Sequence, residues 1–201
     1  MKKQLFLYAI GLIVVVIMTT PLGSTSNSPA KISIKMSEQD STKNMVITRT
    51  FNVSVEKLFN AWADGALVKK WWGPKVFTAP VANINFKEGS ASLVCMRGPD
   101  GRDMYNLWSY KKIVRNKKIE FIQYWANKDG QRITAVEAGL PPVLPNEVRH
   151  VITFKSLGPN QTEMTITEYG YSNDEIVKIS KAGMGECLDK MAEALSTTQE
   201  N

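Results

Sequence analysis

The pattern of hydrophobic and polar positions changes period along this chain, from strand to helix, back to strand and finally to helix. Residues 54–62 carry apolar side chains three and four positions apart, the spacing of an amphipathic helix, and their first residue is a serine that can cap it. Residues 66–72 predict a second short helix, which Gly73 and Pro74 would end. Both helices follow a first strand, residues 45–51.

Period-two alternation then predicts six more strands, with turn residues between most of them. Their expected bounds are residues 77–86, 91–97, 104–114, 118–125, 148–155 and 162–169. Short turns between consecutive strands make antiparallel neighbours. A longer connection, residues 126–147, contains three prolines and is either a lid over a cavity mouth or a passive cover.

A single long helix, residues 173–196, is predicted after the last strand. Residues 172–175 match a capping box with acidic side chains at the positive end of the helix dipole. At 1.5 Å per residue the helix would be about 36 Å long, enough to cross the whole sheet. The order of elements predicts an α+β fold: a seven-stranded curved antiparallel sheet around a long C-terminal helix, with two short helices after the first strand and a hollow between sheet and helix.

The start of the chain has the pattern of a secretory signal, in which Lys2 and Lys3 precede the apolar residues 5–18. This run is shorter than the roughly 20 apolar residues of a spanning helix, and an uncleaved N-terminal anchor is the alternative. In both cases we expect an exported protein that is periplasmic, secreted or envelope-anchored. The expected divisions are a signal or anchor at residues 1–30, a flexible linker at 31–44, one domain at 45–196 and a tail at 197–201.

The formal net charge is +6, from 25 Lys and Arg against 19 Asp and Glu, and the basic residues are dispersed. No nucleic-acid-binding motif accompanies them, so no nucleic-acid partner is expected. The single histidine excludes multi-histidine metal sites, and we expect neither a metal nor a cofactor. Cys95 and Cys187 are the two thiols; either they form a disulfide or they are buried as small apolar side chains.

Four short motifs occur in an order and spacing that resemble one family. They are residues 51–62 (FNVSVEKLFNAW), 70–74 (KWWGP), 96–101 (MRGPDG) and 186–191 (ECLDKM). Together with the order of elements, they make the chain similar to the START-like or SRPBCC superfamily, and within it to the activator of heat-shock protein ATPase homologue-like (AHSA-type) family. The resemblance implies a helix-grip fold of the START and Bet v type, with an elongated apolar cavity between sheet and helix. Trp108 stands near a position where this family often has glycine, so we expect its indole to shrink or reshape the cavity.

A histidine and a glutamate are expected to meet inside the hollow. If the hairpin between the last two strands is centred on Pro159, three inward pairs oppose each other across it: Phe154 and Met164, Ile152 and Ile166, and His150 and Glu168. The last pair either binds a polar ligand group, or acts as general acid and base, or only ties two strands together. The carboxylate would raise the pKa of His150, and burial would lower it.

The expected ligand site combines polar recognition by His150 and Glu168 with apolar walls. The expected wall residues are Ile152, Phe154, Met164, Ile166, Met184 and Cys187. Trp71 and Trp72 either flank the cavity entrance or serve as packing residues.

Three functions are consistent with the predicted fold and site. Because the sequence contains no catalytic signature, we prefer binding to catalysis. The first is an exported carrier that binds a small hydrophobic molecule or a lipid. The second is a cyclase- or hydrolase-like enzyme that uses His150 and Glu168. The third is a protein-interaction module of the cell envelope, for which aromatic residues on the outer strand face offer a possible homodimer surface. Membrane contact is expected only through the N-terminal segment, if it is not cleaved.

Overall fold

The computed structural model describes residues 42–196, which form one sheet and three helices. The strands are β1 (Lys43–Phe51), β2 (Thr78–Asn83), β3 (Ala91–Arg97), β4 (Asp103–Val114), β5 (Lys118–Ala126), β6 (Glu147–Gly158) and β7 (Gln161–Tyr171). The helices are α1 (Val55–Ala63), α2 (Gly65–Trp71) and α3 (Asp174–Ser196). This order is the α+β helix-grip arrangement that the sequence predicts. The expected signal or anchor, most of the expected linker and the expected tail lie outside the described residues.

The seven strands form one curved antiparallel sheet in the order β1-β7-β6-β5-β4-β3-β2. Strands β2 to β7 follow one another as a meander, and β1 pairs with β7 at the far edge. Between β6 and β7 the register pairs His150 with Glu168 and Phe154 with Met164, which confirms the predicted hairpin. Helix α3 crosses this end of the sheet and contacts β1, β7, α1 and α2.

Asp64 joins the two short helices. It ends α1, and its carboxylate accepts hydrogen bonds from the backbone N–H groups of Ala66 and Leu67 at the start of α2. A side chain at Gly65 would be obstructed, because a Cβ there would lie 2.6 Å from the carbonyl oxygen of Ala82. The glycine therefore lets α2 pack closely against β2.

The N-terminal cap of α3 lies one residue later than the capping-box pattern predicts. The side-chain oxygen of Asn173 accepts a hydrogen bond of 3.0 Å from the backbone N–H of Ile176. Ser172 instead donates its hydroxyl hydrogen to the carbonyl oxygen of Val143, 3.4 Å away in the long connection. The start of α3 is thereby linked to the segment that covers the sheet.

Several strand boundaries differ from the sequence prediction by one to three residues; β6 and β7, for example, extend to Gly158 and Tyr171. Strand β1 begins at Lys43, two residues inside the segment expected as a linker. Strand β2 ends at Asn83 rather than at residue 86, and its register with β3 shifts between Thr78 and Val81. Pro80 lies within that shift, because a residue without an N–H group is tolerated only at a sheet edge or a bulge.

A cluster of aromatic side chains fills the middle of the interior around Trp108. This residue of β4 is fully buried, and its ring centroid lies 4.8 Å from that of Trp72 and 5.2 Å from that of Phe121. Trp62 and Trp71 complete the cluster at centroid distances of 5.9 and 6.4 Å. The indole is thus part of the packed core beside the cavity, because its neighbour Trp72 lines the cavity.

The outer sheet face carries a smaller group of half-buried residues, Tyr105, Leu107 and Tyr124. The guanidinium group of Arg132 lies 3.6 Å from the ring centroid of Tyr124 and covers part of this group. A homodimer through this face stays a prediction.

Candidate ligand-binding cavity

A cavity of about 100 Å³ remains between the sheet and α3. Strands β3, β5, β6 and β7 form its floor, α3 forms its roof, and the long connection before β6 closes one side. Its lining residues are Trp72, Met96, Gln123, Trp125, Leu144, Pro145, Val148, His150, Glu168, Tyr171, Ile176, Ile179, Ser180, Gly183, Met184 and Cys187. Most of these side chains are apolar, and three of the polar ones, His150, Tyr171 and Ser180, contact Glu168.

Glu168 is the centre of the polar group. It is 2% exposed, on the inner face of β7. One carboxylate oxygen, Oε2, accepts hydrogen bonds from the hydroxyl group of Tyr171 and from that of Ser180, the latter at 2.5 Å. The same two hydroxyl oxygens lie 2.8 Å apart. Burial raises the pKa of Tyr171, and the negative charge of Glu168 raises it further, so Tyr171 remains a hydrogen-bond donor at ordinary pH.

His150 lies beside the other carboxylate oxygen, with 3.4 Å between its Nδ1 atom and Oε1 of Glu168. This contact lacks hydrogen-bond geometry, and neither ring nitrogen has a hydrogen-bond partner within residues 42–196. Burial lowers the pKa of His150, and the Glu168 carboxylate opposes this only in part. We therefore treat the imidazole as neutral at pH 7, so the pair is not an ion pair.

The ring of His150 is held in place by stacking. It lies parallel to the ring of Phe121 on β5, with centroids 4.6 Å apart and an interplanar angle of 11°. Phe121 in turn contacts Trp108. The aromatic cluster thus fixes the orientation of the imidazole at the edge of the cavity.

Two further lining residues carry polar atoms that lack partners among the described residues. They are the indole N–H group of Trp72 and the side-chain oxygen of Gln123. Trp125 differs, because its indole N–H group donates a 2.9 Å hydrogen bond to the carbonyl oxygen of Pro145. Buried polar groups in folded proteins nearly always have partners, so unpaired ones around a cavity indicate a place where a bound molecule can supply them.

The structure brings together only part of the site that the sequence predicts. His150, Glu168, Trp72, Met184 and Cys187 line the cavity. The other predicted wall residues, Ile152, Phe154, Met164 and Ile166, are buried in the core outside it. Helix α1 covers that end of β6 and β7, where the rings of Phe59 and Phe154 lie 5.4 Å apart. Trp71 is a packing residue whose indole N–H group donates to the carbonyl oxygen of Ala61.

Sequence reasoning missed three polar lining residues, Gln123, Tyr171 and Ser180. Ser180 had a usable signal, because it lies four positions after Ile176 on the inward stripe of α3. Gln123 had one as well, since it alternates with the inward residues Phe121 and Trp125. Tyr171 is the last residue of β7 and follows a glycine. At that position the alternation of the strand no longer indicates on which face of the sheet a side chain lies.

The long connection before β6 is a structured wall of the cavity. Leu144 and Pro145 line the cavity, and the side-chain oxygen of Asn146 accepts a 2.8 Å hydrogen bond from the backbone N–H of Ala135. Leu140 is 4% exposed and belongs to the core. These contacts are those of a cover packed on the sheet.

The two cysteines are free thiols that lie on opposite faces of the sheet. Cys187 projects from α3 into the cavity lining, whereas Cys95 alternates with the inward residues Val94 and Met96 on β3. Burial raises the pKa of Cys187 to about 12 and that of Cys95 to about 11. The expectation of two small buried side chains is therefore confirmed, and the disulfide alternative is not.

Within residues 42–196, no group of three or more His, Cys, Asp or Glu side chains is arranged to hold a metal ion. None of the three described helices has the length and hydropathy needed to span a membrane.

A curved antiparallel sheet that grips one long helix around a cavity defines an α+β protein of the START-like class. Residues 52–196 match the family described as Activator of Hsp90 ATPase homolog 1-like protein. The chain therefore belongs to this family, as the sequence motifs indicate. No curated protein matches the chain significantly in sequence.

Solved structures with the same fold come from several bacteria. A solution structure of a protein from Arthrobacter aurescens is 22% identical, with a TM-score of 0.63, and the match covers 77% of this chain and 86% of that chain. The crystal structure of an AHSA1 protein from Silicibacter pomeroyi is 19% identical, with a TM-score of 0.63 and coverage of 78% and 100%. A protein from Mycobacterium smegmatis is 22% identical, with a TM-score of 0.60 and coverage of 78% and 90%. At these identities the likeness shows the fold.

Proposed function

We propose that the protein binds a small, largely apolar molecule carrying one polar group in the cavity between the sheet and α3. The observation that carries this proposal is His150, which is 2% exposed and has two unpaired ring nitrogens at the edge of an apolar cavity. Apolar clefts with a few convergent polar groups are the usual form of a small-molecule site.

The volume restricts the size of the ligand. Sites for drug-sized ligands usually measure about 300–1,000 Å³, and an apolar cavity of about 150 Å³ is known to bind benzene. The present cavity of about 100 Å³ suits a molecule with a short branched chain or a small ring. A lipid is too large to be enclosed in a cavity of this volume.

The proposal is tested by titrating ¹⁵N-labelled protein with isobutanol and with phenol while amide resonances are followed. We expect saturable shifts at residues around the cavity, including Ser180 and Gly183. Val148→Phe would fill the cavity and abolish these shifts, because Val148 lines it and is buried. Val76→Phe is the matched control, since Val76 is 59% exposed. Saturable binding that survives Val148→Phe, or no binding of either probe, would overturn the proposal.

Catalysis by His150 and Glu168 is the second candidate. It is favoured by the position of a neutral imidazole beside a carboxylate whose second oxygen is fixed by two hydroxyl groups. Such an arrangement suits a general base held in one orientation. Molecules that bind in the titrations can be recovered and analysed for conversion. Conversion that stops in His150→Gln indicates catalysis, and unchanged recovery indicates binding.

We also propose that the chain is exported. The proposal rests on the basic residues Lys2 and Lys3 and on the apolar run at residues 5–18. Expression of the full chain, cell fractionation and N-terminal sequencing of the product test it. A product that stays in the cytoplasm with its first residues intact would count against export.

A further inference from the structure

The charge of the cavity is unbalanced. The Glu168 carboxylate is buried, and its hydrogen-bond donors, Tyr171 and Ser180, are both neutral hydroxyl groups. None of the described residues that line the cavity is Lys or Arg. A buried charge without a paired counter-charge is costly, so a cation at this position would be stabilised.

Lys190, the half-buried basic side chain of α3, is engaged elsewhere, whereas Lys178 and Lys181 are exposed. Lys190 follows Cys187 by less than one helical turn, and its ammonium group donates hydrogen bonds to the carbonyl oxygens of Gly73 and Phe77, at 3.0 and 2.9 Å. It is not among the residues that line the cavity. Lys190 therefore ties α3 to the segment after α2 and leaves the charge of Glu168 uncompensated.

The unpaired polar atoms around the cavity are mostly hydrogen-bond acceptors. Oε1 of Glu168 accepts no hydrogen bond from the described residues, and the side-chain oxygen of Gln123 has no partner there either. If the proton of neutral His150 resides on Nδ1, which faces the carboxylate, Nε2 is an acceptor as well. The unpaired donors among these lining residues are the indole N–H group of Trp72 and, in this tautomer, the Nδ1–H group of His150, which faces the Glu168 carboxylate.

Aromatic rings complete this environment. Trp72, Trp125 and Tyr171 all line the cavity, and the last two are held by hydrogen bonds to Pro145 and Glu168. The faces of aromatic rings attract cations, most strongly when water is excluded. A carboxylate beside aromatic walls therefore favours a small organic cation over a neutral or anionic molecule of the same size.

From this charge and acceptor pattern we infer that the ligand is a small alkylammonium compound whose N–H groups donate to Glu168. The inference rests on the proposed binding function and names its ligand class. The volume of about 100 Å³ limits the apolar part to a short or branched chain.

Three probes of similar shape and different charge test the inference in the wild-type protein: isobutylammonium, isobutanol and isobutyrate. Binding is measured by NMR titration at pH 7. We expect isobutylammonium to bind roughly tenfold more tightly than isobutanol, because only the ammonium group adds the attraction between opposite charges to its hydrogen bond with the buried carboxylate. Isobutyrate should bind more weakly than either, since it places a second negative charge beside Glu168.

Two variants test whether the preference for isobutylammonium depends on Glu168. Glu168→Gln keeps the shape of the side chain and removes its charge, so the affinity for isobutylammonium should fall roughly tenfold while that for isobutanol changes little. Glu163→Gln is the matched control, because Glu163 lies on the outer face of the same strand. The comparison of probes in the wild-type protein remains decisive if Glu168→Gln does not fold.

The outcomes separate the inference from the proposed function. Equal affinities for isobutanol and isobutylammonium, both abolished by Val148→Phe, would overturn the inference and leave the binding function in place. An ammonium preference that persists in folded Glu168→Gln would overturn the inference, because the cation would then bind elsewhere. Failure of all three probes and of phenol to bind would overturn both.

Discussion

His150 and Glu168 face each other from adjacent strands with 3.4 Å between Nδ1 and Oε1, and each residue is only 2% exposed. Two effects act on the imidazole at this position. Removal from water disfavours the charged form, and the carboxylate favours it. Burial is the larger effect, so the pKa of His150 in the folded state lies below its ordinary value of 6.5.

The first prediction concerns acid stability. Because the folded pKa of His150 is depressed, the unfolded chain binds a proton near pH 6 that the folded chain does not. The contribution of the neutral His150 side chain to the free energy of unfolding is fully present above about pH 6.5. It is lost as the pH falls from there towards the pKa of His150 in the folded state. The free energy of unfolding should therefore decrease by at most about 1.4 kcal/mol per pH unit in this range through His150. Urea denaturation at pH 7.5, 6.5 and 5.5 measures this change in the free energy of unfolding.

His150→Gln is the control for this prediction, because the chain has no other histidine. The variant should show a flatter dependence of unfolding free energy on pH between 7.5 and 5.5. In the wild-type protein, the imidazole C–H resonances should not titrate with a midpoint of 6.5 or higher. A midpoint in that range would mean that the carboxylate, and not burial, determines the pKa.

The second prediction concerns the hydrogen bonds that hold Glu168. Tyr171→Phe removes a hydroxyl group that donates to the buried carboxylate, so it should lower the free energy of unfolding by about 1.5–3 kcal/mol. In the double variant with Glu168→Gln the two effects should not add, since the residues are in contact. Chemical denaturation of the wild-type protein, the two single variants and the double variant gives the coupling energy between Tyr171 and Glu168.

Tyr169→Phe serves as the control for Tyr171→Phe. Tyr169 lies on the other face of β7, where its ring contacts Arg149, and its change should stay within about 0.5 kcal/mol. Equal losses in the two tyrosine variants would show that the Tyr171 hydroxyl contributes no more than a surface group.

Much of the fold follows from local rules that the sequence displays. The turn at Pro159 and the register shift between Ser156 and Gly158 together set the β6–β7 register, and beyond the shift one register determines every cross-strand pair, including His150 and Glu168. The inward stripe of α3 likewise identifies Met184 and Cys187 as cavity residues. These relationships depend on period and turn geometry, both of which are local.

The extent of the cavity is not a local property. Whether an inward residue lines the cavity depends on where α1 and α3 cross the sheet. Strand alternation predicts that Phe154 points inward, but it does not predict that α1 covers this residue. The remaining volume depends on how several indoles pack around Trp108. The cavity volume is the small difference between the volume that the fold encloses and the volume that the side chains fill. The sequence therefore predicts that a cavity exists but not its size.

The third prediction concerns the thiols. With a pKa of about 12, the fraction of Cys187 present as reactive thiolate at pH 8 is roughly 10⁻⁴, and that of Cys95, with a pKa of about 11, is roughly 10⁻³. Both side chains are also buried. The folded protein should therefore react very slowly with a thiol reagent such as Ellman's reagent, and the unfolded chain should release two equivalents.

Single replacements assign any thiol reaction that occurs. If Cys187→Ser and Cys95→Ser each leave one equivalent in denaturant and almost none without it, both thiols are protected by the fold. Rapid modification of the folded protein that disappears only in Cys187→Ser would show that the cavity admits the reagent, contrary to the prediction.

The last prediction is that Trp108 sets the size of the cavity. The indole contacts Trp72 and pairs across strands with Gln123, and both of these residues line the cavity. Trp108→Leu should therefore add its vacated space to the cavity, at a cost of about 2–4 kcal/mol in the free energy of unfolding. Indole, which is too large for the wild-type cavity, should then bind in NMR titrations.

Phe59→Leu distinguishes enlargement of the cavity from general loosening of the core. Phe59 contacts Phe86 and Phe154 at the end of the sheet under α1, away from the lining residues. Its truncation should also destabilise the protein but should not create affinity for indole, because the new space does not join the cavity. Indole binding by both variants would mean that loss of packing alone admits the probe. Binding by Trp108→Leu alone would mean that one side chain restricts the protein to small ligands.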